Sequence, residues 1–476
     1  FYSNKLVKIS ERDIKTDFKY FLKSRTDHIF IKQLVGKYDE AEDVANDLQI
    51  KMYRYKQFGP EDRIKVYSEL GAFYDKIGNR SKALSSVDSA SFLTNKYFGT
   101  STEKVADAGI RKSLIYIGNG KSKEGLAQLR DQYTWLKNKV SDTAEYLNET
   151  LCYLGLVYMF RKEYDSAIVT LKIVQNNYMS KNILNSTLTT SLKYAAIVYG
   201  FKKDYNSALT LIRLAQNITL KQNGKLNNYW DLSVEIGRTQ AELKQYDSAL
   251  IVLNEILENR NTIGLSNKDI LYEAQLEKAY VLKETGKYQE SYSLLSDYLD
   301  AYKDKILDEI LFLSASERET YLSSKSKSFR SINMKLISKL DRAPQFGNLI
   351  LDNEIFIKGL ALETNTKLLQ LANSTTDPEL DNLLDQIKTG KSKLDNLYLQ
   401  NDVNKNEVAD LESEIAGWEK TLNKKLGSNF KGDYKKNYTL ELKNKLKPKE
   451  VLIDFFSRDK MSDADLDIIF YYAIVL

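Results

Sequence analysis

Cysteine and histidine each occur once in this 476-residue chain, as Cys152 and His28, and proline occurs only four times. A single thiol excludes any disulfide within the chain and fits a reducing compartment, so a cytoplasmic location is favoured. One thiol and one distant imidazole also make a structural zinc site implausible. Four prolines and 21 glycines over this length favour helices. No run of 18 apolar residues exists, so no segment reads as a membrane-spanning helix, and the opening "FYSNKLVKIS" lacks the basic-then-apolar layout of a secretory signal. The chain starts at Phe1 instead of Met, which reads as a processed form or an excised piece. No excess of one charge sign is present either: 70 Lys and Arg face 65 Asp and Glu, too dilute a surplus to argue for a polyanionic partner. Nucleic acid is therefore unsupported. No phosphate-binding glycine motif appears, and the sequence implies no cofactor.

What the chain does have is a repeat. A Gly or Lys, any residue, Tyr, two residues and Ala recur as "GKYDEA" at Gly36, "GNRSKA" at Gly78, "GKSKEG" at Gly120, "KEYDSA" at Lys162, "KDYNSA" at Lys203, "KQYDSA" at Lys244 and "GKYQES" at Gly286. The offsets are 41 or 42 throughout, a regularity that chance turns would not keep for seven copies. Apolar residues flank each copy at helical spacing, so the signature marks the turn of a helix hairpin. Gly71, Gly155 and Ala196 fall where the paired helix crosses, which demands small side chains, and the turn Tyr is expected to cover the end of its own hairpin. The third copy is the weakest, with Ser122 at the Tyr position and Gly125 at the Ala position.

This pattern resembles the tetratricopeptide repeat (TPR) family over roughly residues 20–300, with about eight residues more per unit than the usual 34, as in the longer subclass resembling that of kinesin light chains. The resemblance implies an all-α, right-handed superhelix of about seven 42-residue hairpins whose first helices line a concave surface. Counted from the signature, the positions expected to face that surface hold Leu114, Ile117, Leu156, Met159, Phe160, Ile197, Phe201 and Tyr280. Apolar and aromatic side chains in successive units suit an amphipathic helix or an extended apolar peptide. The competing reading is that a tight superhelix buries them, or that the segment "FKYFLK" fills the groove.

Beyond residue 300 the repeat fades. Residues 301–375 read as further helices closing the array, and 376–428 as an antiparallel helical hairpin. Asp377 and Pro378 offer a cap and a first-turn proline. Leu380, Leu384, Ile387, Leu394 and Leu397 give one stripe, and Leu411, Ile415, Trp418 and Leu422 the other. Residues 429–476 read as a lysine-rich linker followed by two short strands at 452–457 and 468–476, rich in Phe, Tyr, Ile and Val. Between Lys424 and Lys449 nine lysines face two acids, Asp433 and Glu441; without an interleaved aromatic platform this reads as a solvated linker face ahead of the alternative, a basic patch for an acidic partner.

An array of TPR units, the segment 358–363 within "IKGLALE", a helical hairpin, then "LKPKEVLIDFF" and "YYAIVL" resembles, in that order, the family in which TPRs precede a caspase-like CHAT domain. The resemblance implies that the two strands open an α/β peptidase domain whose His and Cys lie downstream of Leu476. Cys152 then reads as a small buried or groove-lining residue and His28 as a helix-surface or packing residue, and the chain itself carries no catalytic dyad. "DADLD", with Asp463, Asp465 and Asp467, resembles a calcium loop but has Ile468 where the turn needs Gly and Ile474 where the last ligand should be Glu, so no metal site is assigned. The function so implied is a protein- or peptide-binding regulatory module of a caspase-like peptidase. An enzyme whose array merely presents substrate and a plain TPR scaffold whose end strands pair with another polypeptide are the alternatives.

Overall fold

The computed structural model describes residues 18–34, 38–77, 79–99, 101–118, 121–263, 268–311, 313–374, 377–399, 405–432, 438–447, 450–451, 453–461 and 467–475. The chain divides into two compact units, 1–287 and 288–476. The first is an array of TPR-like helix hairpins: α1 (Phe18–Leu34) with α2 (Tyr38–Arg54), α3 (Pro60–Lys76) with α4 (Arg80–Phe98), α5 (Thr102–Gly118) with α6 (Ser122–Lys137), α7 (Glu145–Phe160) with α8 (Tyr164–Met179), α9 (Ser186–Phe201) with α10 (Tyr205–Asn223), and α11 (Asn227–Glu242) with α12 (Tyr246–Glu258). A single turn of helix, α13 (Arg260–Ile263), precedes α14 (Lys268–Glu284), the first helix of the seventh signature. That signature's turn ends the first unit. First helices of successive hairpins also touch one another, α5 with α7, α7 with α9 and α11 with α14, so they form one face of the stack.

The signature is explained by the backbone. Lys162, Lys203, Lys244 and Gly286 have φ of 66°, 63°, 60° and 82°, the left-handed region. Each closes its first helix with the same pair of bonds: Lys162 N–H donates to Met159 O at 2.9 Å and Glu163 N–H to Tyr158 O at 2.9 Å, and the pattern recurs from Asp204 to Tyr199, Gln245 to Gln240 and Lys287 to Leu282. This double bond is the Schellman ending, which needs a left-handed residue. Gly supplies it freely, whereas a side chain there costs roughly 1–2 kcal/mol.

The small residues work as the spacing predicts. A Cβ on Gly71 would lie 2.6 Å from Val87, one on Gly155 2.6 Å from Leu171, and one on Gly237 2.9 Å from Leu253, each pair sixteen residues apart across its hairpin. Ala83, Ala167, Ala208 and Ala249, at the signature's last position, are fully or almost fully buried. The third hairpin reverses the arrangement: buried Ser113 takes the first-helix position and Gly125 the facing one, where a Cβ would lie 2.8 Å from the Ser113 carbonyl. Its divergent sequence is a compensated exchange of small side chains. Burying Leu171 and its equivalents Leu129, Ile212 and Leu253 contributes on the order of 2 kcal/mol each, and all four are fully buried.

The second unit contains α15 (Tyr288–Ile310), α16 (Ala315–Ile337), α17 (Gln345–Asn373), α18 (Pro378–Tyr398), α19 (Lys405–Gly432) and α20 (Tyr438–Lys445), then β1 (Ile453–Met461) and β2 (Asp467–Val475). Asp377 caps α18 by accepting from Glu379 N–H at 2.9 Å, with Pro378 at the first position. Helices α18 and α19 run antiparallel, because Tyr398 bonds Glu412, Lys391 pairs with Glu419 and Lys425 with Glu379. The buried stripe of α18 is Leu380, Leu383, Ile387 and Gly390, with Leu384, Leu394 and Leu397 only half-buried. Gly390 decides that register: a Cβ there would meet Trp418 at 2.8 Å and Ile415 at 2.9 Å.

The strands pair antiparallel, Ile453 opposite Val475 through Met461 opposite Asp467. The first runs four residues past the expected 452–457, and the second matches the expected 468–476 in length, one position earlier. The sheet has two strands, and no strand precedes Ile453 among the described residues. Asp463 and Asp465 of the calcium-like stretch lie outside the described residues, as do Gly36 and Lys37 of "GKYDEA".

Candidate functional site

The first-helix face of the array is the candidate, and its eight expected residues behave differently. Leu114 and Ile117 are partly buried against the core formed by Ile110, Leu126, Leu129 and Leu151. Leu156 and Ile197 pack on Met159, Ala167, Ile168 and Val198. Met159 and Tyr280 are themselves buried and offer no surface. Phe160 and Phe201 are the two that stand out, 65% and 56% exposed at the last positions of α7 and α9.

Geometry explains the difference between those two. Phe201 stacks on Tyr164, the turn Tyr of the preceding hairpin, at 5.7 Å and 11°. Tyr205 likewise interacts with Glu242, which ends the next first helix, and burial followed by that carboxylate raises its hydroxyl pKa. The signature Tyr therefore bridges to the following hairpin instead of covering its own. Phe160 needs the same partner from the third hairpin, where Ser122 stands in place of Tyr. The weak third copy leaves an aromatic side chain without the stacking surface its neighbour has.

A second inter-hairpin bridge uses the tyrosines four residues before the signature. Tyr74 donates to Asn46 at 3.2 Å, Tyr116 to Asp88 at 3.0 Å, and Tyr158 accepts from Arg130 at 3.0 Å, each partner 28 residues earlier on the preceding second helix. These rings are fasteners between units and not contact residues for a partner.

Charged residues on the same face were not among the expected positions. Arg238 on α11 bonds Glu235 at 2.6 Å, Glu277 at 2.8 Å and Glu273 at 3.3 Å, the last two on α14. Burial alone would lower the guanidinium pKa, but the surrounding carboxylates outweigh it and hold it above the ordinary value. Burial raises the Glu273 carboxyl despite Arg238. Lys193 on α9 pairs with Asp231 on α11. Farther along, burial raises Glu149 on α7, with Glu145 and Asp107 adding to it. The signal was present in "DLSVEIGR": Asp231, Glu235 and Arg238 are spaced four and three apart, one helical face. Because each cation already meets a carboxylate, these groups brace neighbouring hairpins.

Cys152 is buried in α7 with its Sγ donating to Thr187 O at 3.6 Å, and burial raises the thiol far above its ordinary range, so it stays protonated. His28 is buried in α1, where burial first, then Lys32 and Arg25, lower its pKa. The two residues lie on helices of hairpins three units apart. Among the described residues no group of three His, Cys, Asp or Glu could hold a metal ion, and no helix is long and apolar enough to cross a membrane.

No family model matches the chain, and no curated protein matches it. Among solved structures it is similar to a Rap protein complexed with competence and sporulation factor, at 12% identity and TM-score 0.48, covering 75% of this chain and 94% of that one. It is similar to BtubC from P. vanneervenii at 17% identity and TM-score 0.39, covering 47% and 90%. It is also similar to TPR-like repeats of a kinesin light chain from Podosopora anserina at 16% identity and TM-score 0.35, covering 41% and 92%.

Proposed function

We propose that this chain is a protein-binding regulatory module in which the array recognises a protein or peptide on its first-helix face and the second unit leads into a caspase-like CHAT peptidase domain. The observation that carries the binding half is the exposure of Phe160 beside Leu156, at the junction where Ser122 stands in place of the bridging Tyr. A partner's aromatic or branched apolar side chain would take the place that Tyr164 takes against Phe201. Leu114, Ile117 and Ile197 form the half-buried floor of the same face in the neighbouring hairpins, Met159 is buried next to the anchor, and Tyr280, buried three hairpins further on, lies outside it. The peptidase half rests on the order of segments and on a β-hairpin that, alone, is too small to be stable in water.

Replacing Phe160 and Phe201 with Asp should abolish capture of a cognate partner, at unchanged helicity by circular dichroism. Capture that survives the double change refutes the face assignment. The peptidase half is tested separately: the chain should cleave no protein substrate, Cys152→Ala should behave identically, and cleavage should appear when the native downstream sequence is restored. If the restored chain carries no His and Cys at strand ends, the plain-scaffold reading replaces it.

A further inference from the structure

The second unit contains a cavity of about 610 Å³ between α16 and α17 that plays no part in the function above. Its walls carry Arg318, Lys327, Arg330 and Lys358 against a single carboxylate, Glu319. The hydrogen bonds from Asn333 to Glu354 at 2.9 Å and from Asn353 to Asn333 at 2.9 Å fix the antiparallel register of the two helices. That register brings Arg330 level with Ile357 and Lys358, with Lys327 one turn away, so three cations from two helices gather at one end. Lys358 also contacts Glu354 at 3.8 Å, which leaves a surplus of two positive charges when that carboxylate is included. Lys327 and Arg330 are exposed and have no carboxylate partner among the described residues. Arg318, at the other end, is a charged side chain only 4% exposed.

We propose that this cavity binds a small phosphorylated metabolite, with its phosphate at the Lys327, Arg330 and Lys358 end. A guanidinium fork beside two ammonium groups suits a phosphate oxygen set, Arg pairing two oxygens while Lys acts as a point charge. The hydroxyl of Ser326 lies on the same wall between Leu322 and Arg330. Leu322 and Ile357, each 4% exposed, with fully buried Leu360 behind them, make the floor of the cavity apolar. The volume falls in the range of small-molecule sites. No aromatic ring lines the cavity among the described residues, so the body is non-aromatic, a sugar phosphate or polyol phosphate in size and chemistry.

The test uses the full chain and titrates pyrophosphate, inorganic phosphate and glucose 6-phosphate by calorimetry, with sodium chloride matched for ionic strength. The expected result is saturable one-to-one binding of a phosphate compound, weakened at least tenfold in Arg330→Ala/Lys358→Ala. A control pair in the array, Lys181→Ala/Lys202→Ala, removes the same charge and should retain binding. The unliganded melting temperature of the Arg330/Lys358 pair should match the parent, which separates a lost site from a lost fold. Absence of saturable binding, or equal weakening by the control pair, overturns the proposal. So does tighter binding of an acidic peptide than of any phosphate compound, which would make the cavity a protein-docking groove.

Discussion

In the array, many buried hydroxyls bond within their own helices: Thr94, Ser113, Thr150 and Thr219 each donate to the carbonyl four residues back, at 2.7–3.0 Å. In the second unit, buried amides and carboxylates reach across the chain. Asn423 donates to Leu313 O at 2.8 Å, Glu419 accepts from Ala315 N–H at 2.8 Å, and Asp352 accepts from both the amide and the hydroxyl of Thr439 at 2.7 Å. In the first case apolar shape complementarity repeats every 41 or 42 residues, with recurring polar bridges such as Tyr116 to Asp88 beside it, whereas the second is tied by buried polar pairs each used once. A repeat can change one copy if its neighbour compensates, as Ser113 and Gly125 do. A single buried polar pair has no such freedom, because either partner left alone is a desolvated orphan.

The largest effect should separate the two regions by glycine. Gly155→Val forces a side chain into Leu171 and should destabilise the array by about 3 kcal/mol in denaturant unfolding, with partial recovery in the Leu171→Ala background. Gly359→Ala in α17, where a Cβ would meet nothing within 4 Å, should be neutral or stabilise by about 0.5 kcal/mol. Equal losses at both sites would end the contrast.

Next, Asp352→Ala should leave the Thr439 amide and hydroxyl without their acceptor at the start of α20 and cost about 2 kcal/mol. The expected signature is local: amide hydrogen exchange of α20 rises while that of α7 to α10 does not. Protection of α20 that is unchanged would show that the long-range pair is dispensable.

The smallest effect tests the turns. Lys162→Gly should stabilise the array by about 1 kcal/mol by removing a side chain from a left-handed position. A higher midpoint at unchanged denaturant slope is the expected readout, and a lower midpoint would show that the Lys side chain outweighs its backbone strain.

The repeat, its turns and its crossing positions were legible because steric rules act within about forty residues. A left-handed turn residue recurs at Lys162, Lys203, Lys244 and Gly286, and a small residue faces a large one sixteen positions on at Gly71, Gly155 and Gly237, so the code is written several times over. The α18 and α19 pair was legible in outline, but its buried stripe shifted to Leu383 and Gly390, since the close approach of Trp418 belongs to the partner helix. The candidate face was legible only in part. Spacing alone placed Met159 and Tyr280 with Phe160 and Phe201, because a helical wheel marks an apolar side and says nothing about how tightly the next hairpin covers it. That the signature Tyr bridges to the next unit, that Ser122 therefore uncovers Phe160, and that Arg238 gathers carboxylates from two helices are facts of inter-hairpin geometry. The sequence by itself determined the hairpins and their period through local backbone and volume constraints. Which side chains remain in solvent, and which charges share the cavity between α16 and α17, was decided by tertiary packing, because exposure depends on the neighbouring element and not on the residue's own.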